Sequence, residues 1–447
     1  MSLRGLLALI LLLAGAIGAL YWLDHKKKPA AALPTDAPLV HAFTEDAVKG
    51  IELACEGAVV TVRRTSGGFA LERPFAAEAD RRRVHELVAA LQDARVRKVI
   101  EEKAADLSAY GLSPPTCAVK VELDAGAPPI ALNFGRSSPV GTERYAAAGD
   151  ARVVFADGSL YSVVSRGSEA LREKRLFPVE PDAITRIAVE RPDGSLILEK
   201  KQDAWTLVAP FTDAASSSSA EALARSIASM EVTDAATTQA PSVVQPGRRI
   251  KITIGTKDGA APRSADVAVL GIEGKRLAWR EGGGLAGLLA EPAAAELARP
   301  VDSYREMHIA SFSVPDVRSI TVDRGAVHLR LTRDAEGKPW TGLDGAAPFT
   351  PDDGRVVTLL DRLRSVTASG IAGQPPASAA TATVTIGAPA GELARLSYGP
   401  LPRMDGADGE TLWVTTPARP GVVFTIPAAS LGPIPARASD LAKAPSL

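Results

Sequence analysis

The feature that most constrains the fold of this chain is an internal repeat that occurs three times. Ile51, Ile187 and Ile320 hold equivalent positions in three apolar segments, 136 and 133 residues apart. Each segment is followed by a second apolar or alternating run, which predicts a β-hairpin. A fixed period of this kind predicts tandem structural modules that share one fold.

Each repeat continues with an aromatic residue, a Pro-Phe pair and one amphipathic helix. The aromatics Phe69, Trp205 and Trp340 are predicted core residues, and we expect the phenylalanine of each Pro-Phe pair, such as Phe211, to return to the core. Apolar residues at helical spacing follow, which predicts a helix in every repeat. The predicted N-cap residues of the three helices are Asp80, Ser219 and Asp352.

After each helix the apolar pattern returns to period two, so every module is predicted to contain further strands. Helices this sparse do not supply the crossovers of a parallel sheet. The predicted class is therefore α+β, with an N-terminal transmembrane helix and three tandem modules, each a largely antiparallel sheet with one main helix. The predicted parts are an anchor with its basic flank (1–28), a Pro/Ala-rich tether (29–43) and three modules (44–178, 179–311 and 312–447).

The amino-terminal segment predicts a single membrane span. Residues 5–23 carry no charge over nineteen positions, and a helix of that length rises about 28 Å, close to the hydrocarbon thickness of a bilayer. Tyr21 and Trp22 lie near the end of this run, where aromatic rings favour the membrane interface. The length of the run and these bulky residues favour an uncleaved signal anchor over a cleaved signal peptide.

Two observations bear on the side of the membrane that holds the body. Lys26, Lys27 and Lys28 favour a cytoplasmic body by the positive-inside rule, although a long soluble region after a leading helix is exported largely regardless of its charge. Cys55 and Cys117 are compatible with a disulfide outside the cytoplasm and with two buried free thiols. These residues leave both orientations open.

Composition and motifs exclude several function classes. With 51 Lys+Arg against 52 Asp+Glu, the chain lacks the basic excess of a nucleic-acid-binding protein. It has no phosphate-binding loop, nucleophile elbow or metalloprotease helix motif, and its five histidines are scattered. The adjacent acids Glu101-Glu102 and Asp352-Asp353 are interpreted as solvated charges. We therefore expect no catalytic residue, no cofactor and no metal site.

The most distinctive loop is Tyr110-Gly111-Leu112-Ser113-Pro114-Pro115. One interpretation is a structural plug that covers a sheet edge. The other is a partner-binding loop, because a rigid aromatic segment loses little entropy on binding. Its candidate residues are Tyr110, Gly111, Leu112, Pro114 and Pro115.

This loop also carries a family resemblance. Together with the strand at residues 118–123 and the later Arg175-Leu176-Phe177-Pro178, it resembles the bacterial family called domain of unknown function 4340. The resemblance is best over residues 44–180 and weaker in the second and third repeats. It implies a single-pass protein of the bacterial inner membrane whose body is periplasmic. Such envelope proteins often accompany ABC-2-type and gliding-motility-type ABC transporter components and have no assigned catalytic activity.

The leading hypothesis is a non-enzymatic membrane-anchored protein that serves a transporter, such as its permease, or another envelope complex. The alternative is a module that binds cell-wall or surface polysaccharide, for which Trp279 and Trp413 should be exposed. A hydrolase is a third hypothesis, which requires a cleft with convergent polar residues.

Overall fold

A computed structural model describes most of the chain beyond the amino-terminal segment. It covers residues 36–124, 126–139, 141–149, 151–236, 249–269, 276–281, 284–372, 379–401 and 410–443. Within these ranges, no helix is both long enough and apolar enough to cross a membrane. The predicted anchor over residues 1–28 lies outside them.

The first module is a nine-stranded sheet with one long and two short helices. Its strands are β1 (Val48–Cys55), β2 (Ala58–Thr65), β3 (Gly68–Arg73), β4 (Ala77–Glu78), β5 (Val96–Glu101), β6 (Cys117–Leu123), β7 (Ile130–Ser137), β8 (Arg144–Ala147) and β9 (Val153–Ala156). Its helices are α1 (Arg81–Gln92), α2 (Gly158–Val164) and α3 (Ser168–Leu171).

The second and third modules repeat this plan. The second has β10 (Ile184–Arg191), β11 (Gly194–Lys201), β12 (Ala204–Ala209), β13 (Asp213–Ala214), α4 (Ser217–Ala228), β14 (Val232–Ala236), β15 (Arg249–Thr256), β16 (Arg263–Val269), β17 (Arg276–Arg280), β18 (Ala286–Leu289) and α5 (Glu291–Glu296). The third has β19 (Ser319–Arg324), β20 (Val327–Thr332), β21 (Thr341–Asp344), β22 (Ala347–Phe349), α6 (Asp353–Ser365), β23 (Gly370–Ala372), β24 (Ala382–Ala388), β25 (Gly391–Pro400), β26 (Thr411–Thr415), β27 (Val423–Pro427) and α7 (Ala428–Leu431).

All three sheets have the same strand order, β4-β3-β2-β1-β6-β7-β8-β9-β5 in the first. The strand that opens each module lies at its centre, and the strand after the main helix closes the far edge. The described strand pairs are antiparallel, as β1 with β2 and with β6. The prediction of three repeated, largely antiparallel sheets is confirmed. By residue contacts, the first module up to Lys174 forms most of one compact unit, and the second and third modules form most of the other.

The main helices are buried on the predicted face. In α1 the buried residues are Val84, Leu87, Val88 and Leu91, and in α6 they are Val356, Leu359, Leu360 and Leu363. Burying each leucine contributes about 1.5–3 kcal/mol. The carboxylates of Asp80 and Asp352 accept backbone N–H bonds as N-caps, as predicted. The prediction for α4 is wrong: Ser216 caps that helix, because buried Ala220 takes the first apolar position.

The Pro-Phe pair of the second module differs from the expectation. Phe69, Trp205 and Trp340 are buried as predicted, but Phe211 is 40% exposed. The guanidinium of Arg305 lies 4.5 Å from its ring centroid, and Arg172 stands 4.9 Å from Phe75 in the first module. Phe211 is thus held by a cation–π contact at the surface. Phe75 and Phe349 are partly buried and pack against the cores of the first and third modules, as expected.

At the end of each module, a short connector is hydrogen-bonded to the residue that precedes the main helix of that module or lies at its N-cap. The backbone N–H of Asp80 donates to the carbonyl of Leu171, and Ser216 donates to Tyr304 in the same way. Helical turns end at Leu171 and Tyr304, and the arginine that follows each is extended. The repeated segments Leu171-Arg172-Glu173-Lys174 and Tyr304-Arg305-Glu306-Met307 predict short helical connectors, but only the first part of each is helical. A third connector, which the sequence does not predict, lies in the last module, where the N–H of Asp352 donates to the carbonyl of Leu441.

The chain then pairs with the residues that follow the next main helix. Leu176 donates to the carbonyl of Met230, and Ile309 donates to Val366. The predicted tether ends in the same arrangement, since Leu39 donates to the carbonyl of Ala94 and is buried in the first core.

Candidate functional site

The Tyr110–Pro115 loop packs on the first sheet. A turn of 3-10 helix covers Ser108–Tyr110, and Gly111 follows with φ 72°, a left-handed conformation that glycine adopts without a Cβ penalty. Leu112 is buried against Ala147 and Val153. A Cβ at Gly135 of β7 would stand only 2.1 Å from the carbonyl oxygen of Tyr110. The loop therefore lies directly on the strand because this position is glycine.

The Tyr110 side chain belongs to a row of aromatic rings. Its ring centroid lies 5.0 Å from that of Tyr145, which lies 4.8 Å from Phe155. Its hydroxyl donates to Oε1 of Glu101 at 2.5 Å, and this hydrogen bond raises the pKa of Tyr110. All three aromatics are half-buried, so the row has one packed side and one side in contact with solvent.

The prolines occupy the outer part of the loop. Pro114 is exposed and Pro115 is half-buried, and the Ser113–Pro114 peptide bond is cis. The structure thus brings Tyr110, Gly111 and Leu112 together on the sheet and leaves Pro114 in solvent. The packed part has the geometry of a plug, and the part available to a partner is the proline tip with the outer edge of the Tyr110 ring.

The third module covers the equivalent surface with a tryptophan. The ring of Trp413 lies 2.8 Å from the position that a Cβ of Gly399 would take, and Trp413 is 4% exposed. In the second module Trp279 is 5% exposed and pairs with Asp266 across two strands. Neither ring is presented to solvent in the way that the polysaccharide hypothesis requires.

Six of the titratable groups singled out in the sequence, three imidazoles and three carboxylates, have local partners. His85 lies 2.6 Å from Glu45, His308 lies 3.1 Å from Glu306 and His328 lies 2.8 Å from Asp323. Asp353 accepts the backbone N–H of Trp340, while Glu101 and Asp352 have the partners given above. Across the described ranges, no group of three or more His, Cys, Asp or Glu is arranged to hold a metal ion.

Cys55 and Cys117 form a disulfide between β1 and β6. The two residues are direct partners in the antiparallel register of these strands. Cys117 is fully buried. The bridge joins the end of the first hairpin to the strand that leaves the Tyr110–Pro115 loop.

Sequence reasoning missed a buried ion cluster between the second and third modules, inside the second compact unit. The carboxylate of Asp213 accepts from Nε of Arg305 at 2.7 Å and from Nε and Nη2 of Arg419 at 2.7 and 2.6 Å. Burial alone would raise the pKa of Asp213, but the hydrogen bonds from Arg419 and Arg305 outweigh it, and the net pKa is lowered. Asp213 takes the place of Ala77 in the first repeat, and this substitution was the available signal.

A groove in the third module has a lining of mixed polarity. It has a volume of about 620 Å³ and lies between α6 and the segment 433–441. Its apolar residues are Leu359, Pro433, Ile434, Pro435 and Leu441, and its charged residues are Asp352, Arg355, Arg362 and Asp440. A cavity of this size is in the range of ligand sites.

Comparison with known proteins places part of the chain in a family. No curated protein matches the chain. Two solved structures from Pseudomonas aeruginosa, a DNA polymerase sliding clamp with ligand and the DNA polymerase III subunit beta, align at 7% and 6% identity over 87% of this chain and 94% of theirs. Their TM-scores are 0.12, so these alignments carry no argument about fold or function. The family model described as domain of unknown function DUF4340 matches residues 70–246. Residues 70–246 of the chain therefore match the family called domain of unknown function 4340, the family that the Tyr110–Pro115 loop predicts.

Proposed function

We propose that this chain is a non-enzymatic, single-pass membrane-anchored protein whose body lies outside the cytoplasm. Its role would be that of an accessory or scaffold subunit of an ABC-type transporter or another envelope complex. The observation that carries the proposal is the Cys55–Cys117 disulfide, because disulfides form and persist in oxidising compartments. It supports export of the body, whereas Lys26, Lys27 and Lys28 favour a cytoplasmic body by the positive-inside rule.

The architecture supports a scaffold. Three copies of one sheet, each with its own connector bound to its main helix, repeat the same set of surfaces along the chain. The carboxylates of Glu101, Asp352 and Asp353 and the imidazoles of His85, His308 and His328 are engaged in caps and pairwise contacts. In the first module the exposed proline tip at Pro114 supplies the partner-binding surface of the proposal.

Topology is tested in intact cells with the full-length chain tagged after Leu447. A protease that does not cross the inner membrane should remove the tag while a cytoplasmic control protein survives. In parallel, a bulky maleimide applied after denaturation should label Cys55 and Cys117 only after reduction. A protected tag, or thiols that react without reduction, would refute the extracytoplasmic body.

The partner role is tested by photocrosslinking from position 114. The matched control is a crosslinker at Arg225, an exposed residue on α4 that is remote from the loop in sequence. The proposal expects a transporter permease or another integral envelope protein to be captured from position 114 and not from position 225. Equal capture from both positions would contradict a specific role for the loop.

A further inference from the structure

The groove of the third module exists because the helix after the ninth strand is short. In the first module α2 has seven residues, and Arg166 just beyond it reaches Glu86 of α1 at 2.8 Å. In the third module α7 has only four residues, because Gly432 takes φ 63° and Pro433 has no N–H to continue the helix. The face of the main helix that the first module covers is thus open in the third.

The repeat register identifies this open face. Val84 and Val356 are equivalent, so Glu86 corresponds to Thr358. Thr358 is exposed and lines the groove. Buried Leu359, Ile434 and Leu441 form the apolar floor beside it. A segment that fills this groove would take the place that α2 takes in the first module.

Two arginines on this face lack a carboxylate partner. Arg355 and Arg362 stand seven residues apart, about 10 Å along α6 on one side. Their side chains contact only backbone carbonyl oxygens, of Asp440 at 3.4 Å and of Pro433 at 3.5 Å. In the described part of the chain, no carboxylate lies within ion-pair distance of either guanidinium.

The two acids of the lining are engaged elsewhere. Asp352 accepts the backbone N–H of Arg355 as the N-cap of α6. Asp440 accepts the N–H groups of Ala436 and Arg437 and pairs with the Arg437 side chain. The groove therefore combines an apolar floor with two available positive charges.

We propose that this groove binds an acidic amphipathic helical segment of a partner protein. Two carboxylates seven residues apart on the ligand would meet Arg355 and Arg362 as charge-assisted pairs. Apolar residues three and four positions after the first acid would lie on Leu359 and Ile434. The inference goes beyond the proposed function, since it depends on the third module and not on the side of the membrane.

The test uses the purified full-length chain in detergent and a fluorescent fifteen-residue helical peptide. The peptide carries glutamate at positions i and i+7 and leucine at i+3 and i+4. A second peptide replaces both glutamates by lysine. Fluorescence anisotropy should give a dissociation constant about tenfold lower for the glutamate peptide, from two ion pairs at a partly exposed surface.

Variants separate the groove from general charge attraction. The double variant Arg355→Glu with Arg362→Glu should reverse the preference and bind the lysine peptide better. Arg364→Glu is the matched control, because Arg364 lies on the same helix, is exposed and pairs with Asp361 outside the groove. It should leave the dissociation constant unchanged. Thr358→Trp fills the groove without a change of charge and should abolish binding of both peptides.

Several results would overturn the proposal. One is equal affinity for the two peptides, and another is equal weakening by Arg364→Glu and by the double variant. Displacement of the glutamate peptide by millimolar inorganic phosphate would indicate a small-anion site instead. Self-association of the chain that is lost in Thr358→Trp would indicate that a second copy fills the groove. Unchanged membrane topology in all variants keeps these outcomes distinct from a failure of the proposed function.

Discussion

Removal of the Asp213 carboxylate should destabilise the second compact unit more than any surface substitution. Its side chain is only 3% exposed, and those of Arg305 and Arg419 are 9% and 10% exposed. Asp213→Ala removes three charge-assisted hydrogen bonds and leaves two buried guanidinium groups without their carboxylate. Breaking a buried ion pair in this way costs about 3–5 kcal/mol of unfolding free energy.

The control for this prediction is a second acid on the same arginine. Asp302 lies 3.3 Å from Nη1 of Arg305, but its side chain is 67% exposed. Asp302→Ala should therefore cost less than about 1 kcal/mol, as exposed pairs do. The difference between the two variants isolates burial from the presence of an ion pair.

Tryptophan fluorescence during urea denaturation measures this unit selectively. Four of the five tryptophans lie in the second and third modules, and the fifth, Trp22, lies in the predicted anchor. We expect the midpoint for Asp213→Ala to fall far below that of the parent chain and that for Asp302→Ala to stay near it. Equal midpoints for the two variants would refute the conclusion that the buried ion pairs of Asp213 stabilise the contact between the second and third modules.

Three further predictions concern pH, the disulfide and the packed loop. The folded state lowers the pKa of the Asp213 carboxyl below its ordinary 3.8. The contribution of this carboxylate to the unfolding free energy should therefore be complete above pH 3.8 and be lost as the pH falls through the folded-state pKa. The difference in urea midpoint between the parent chain and Asp213→Ala should shrink in acid. Cys55 and Cys117 are 62 residues apart, so Cys55→Ala with Cys117→Ala should lower the unfolding free energy of the first unit by about 4 kcal/mol, measured by circular dichroism. Gly135→Ala should cost about 1–3 kcal/mol in the same assay by pushing on the Tyr110 carbonyl, whereas Gly67→Ala, with nothing within 4 Å of the new Cβ, should be nearly neutral.

The sequence predicts the repeated part of the fold well because periodic burial leaves a periodic trace. Spacing alone predicts the apolar faces of α1 and α6, and the position of Asp80 and Asp352 before those faces predicts that they are N-caps. The same method misplaced the cap of α4, since Ala220 is apolar enough to be buried but too small to mark the face. The strand after each main helix was also missed, as in β5, where only Val96 is fully buried.

Features formed by residues distant in sequence left little trace. Asp213 and Arg419 are 206 residues apart, and no local pattern joins them. The connectors bind through backbone carbonyls, so the third connector at Leu441 carries no side-chain signature. The groove of the third module depends on the early end of α7, and the Gly432-Pro433 pair was its only signal.

The connectors also define the piece of chain that duplication would copy. Each repeat begins with a residue that is hydrogen-bonded to the segment just after the main helix, as Leu176 is to Met230. It ends with a residue that is hydrogen-bonded to the segment just before that helix, as Tyr304 is to Ser216. Both ends of a repeat are therefore hydrogen-bonded next to the same helix. The boundaries between repeats fall within the connectors, between Glu173 and Lys174 and between Glu306 and Met307. Joining Glu173 directly to Met307 would excise one whole copy, and the backbone-to-backbone hydrogen bonds that hold the connectors of the remaining two copies would all keep their partners.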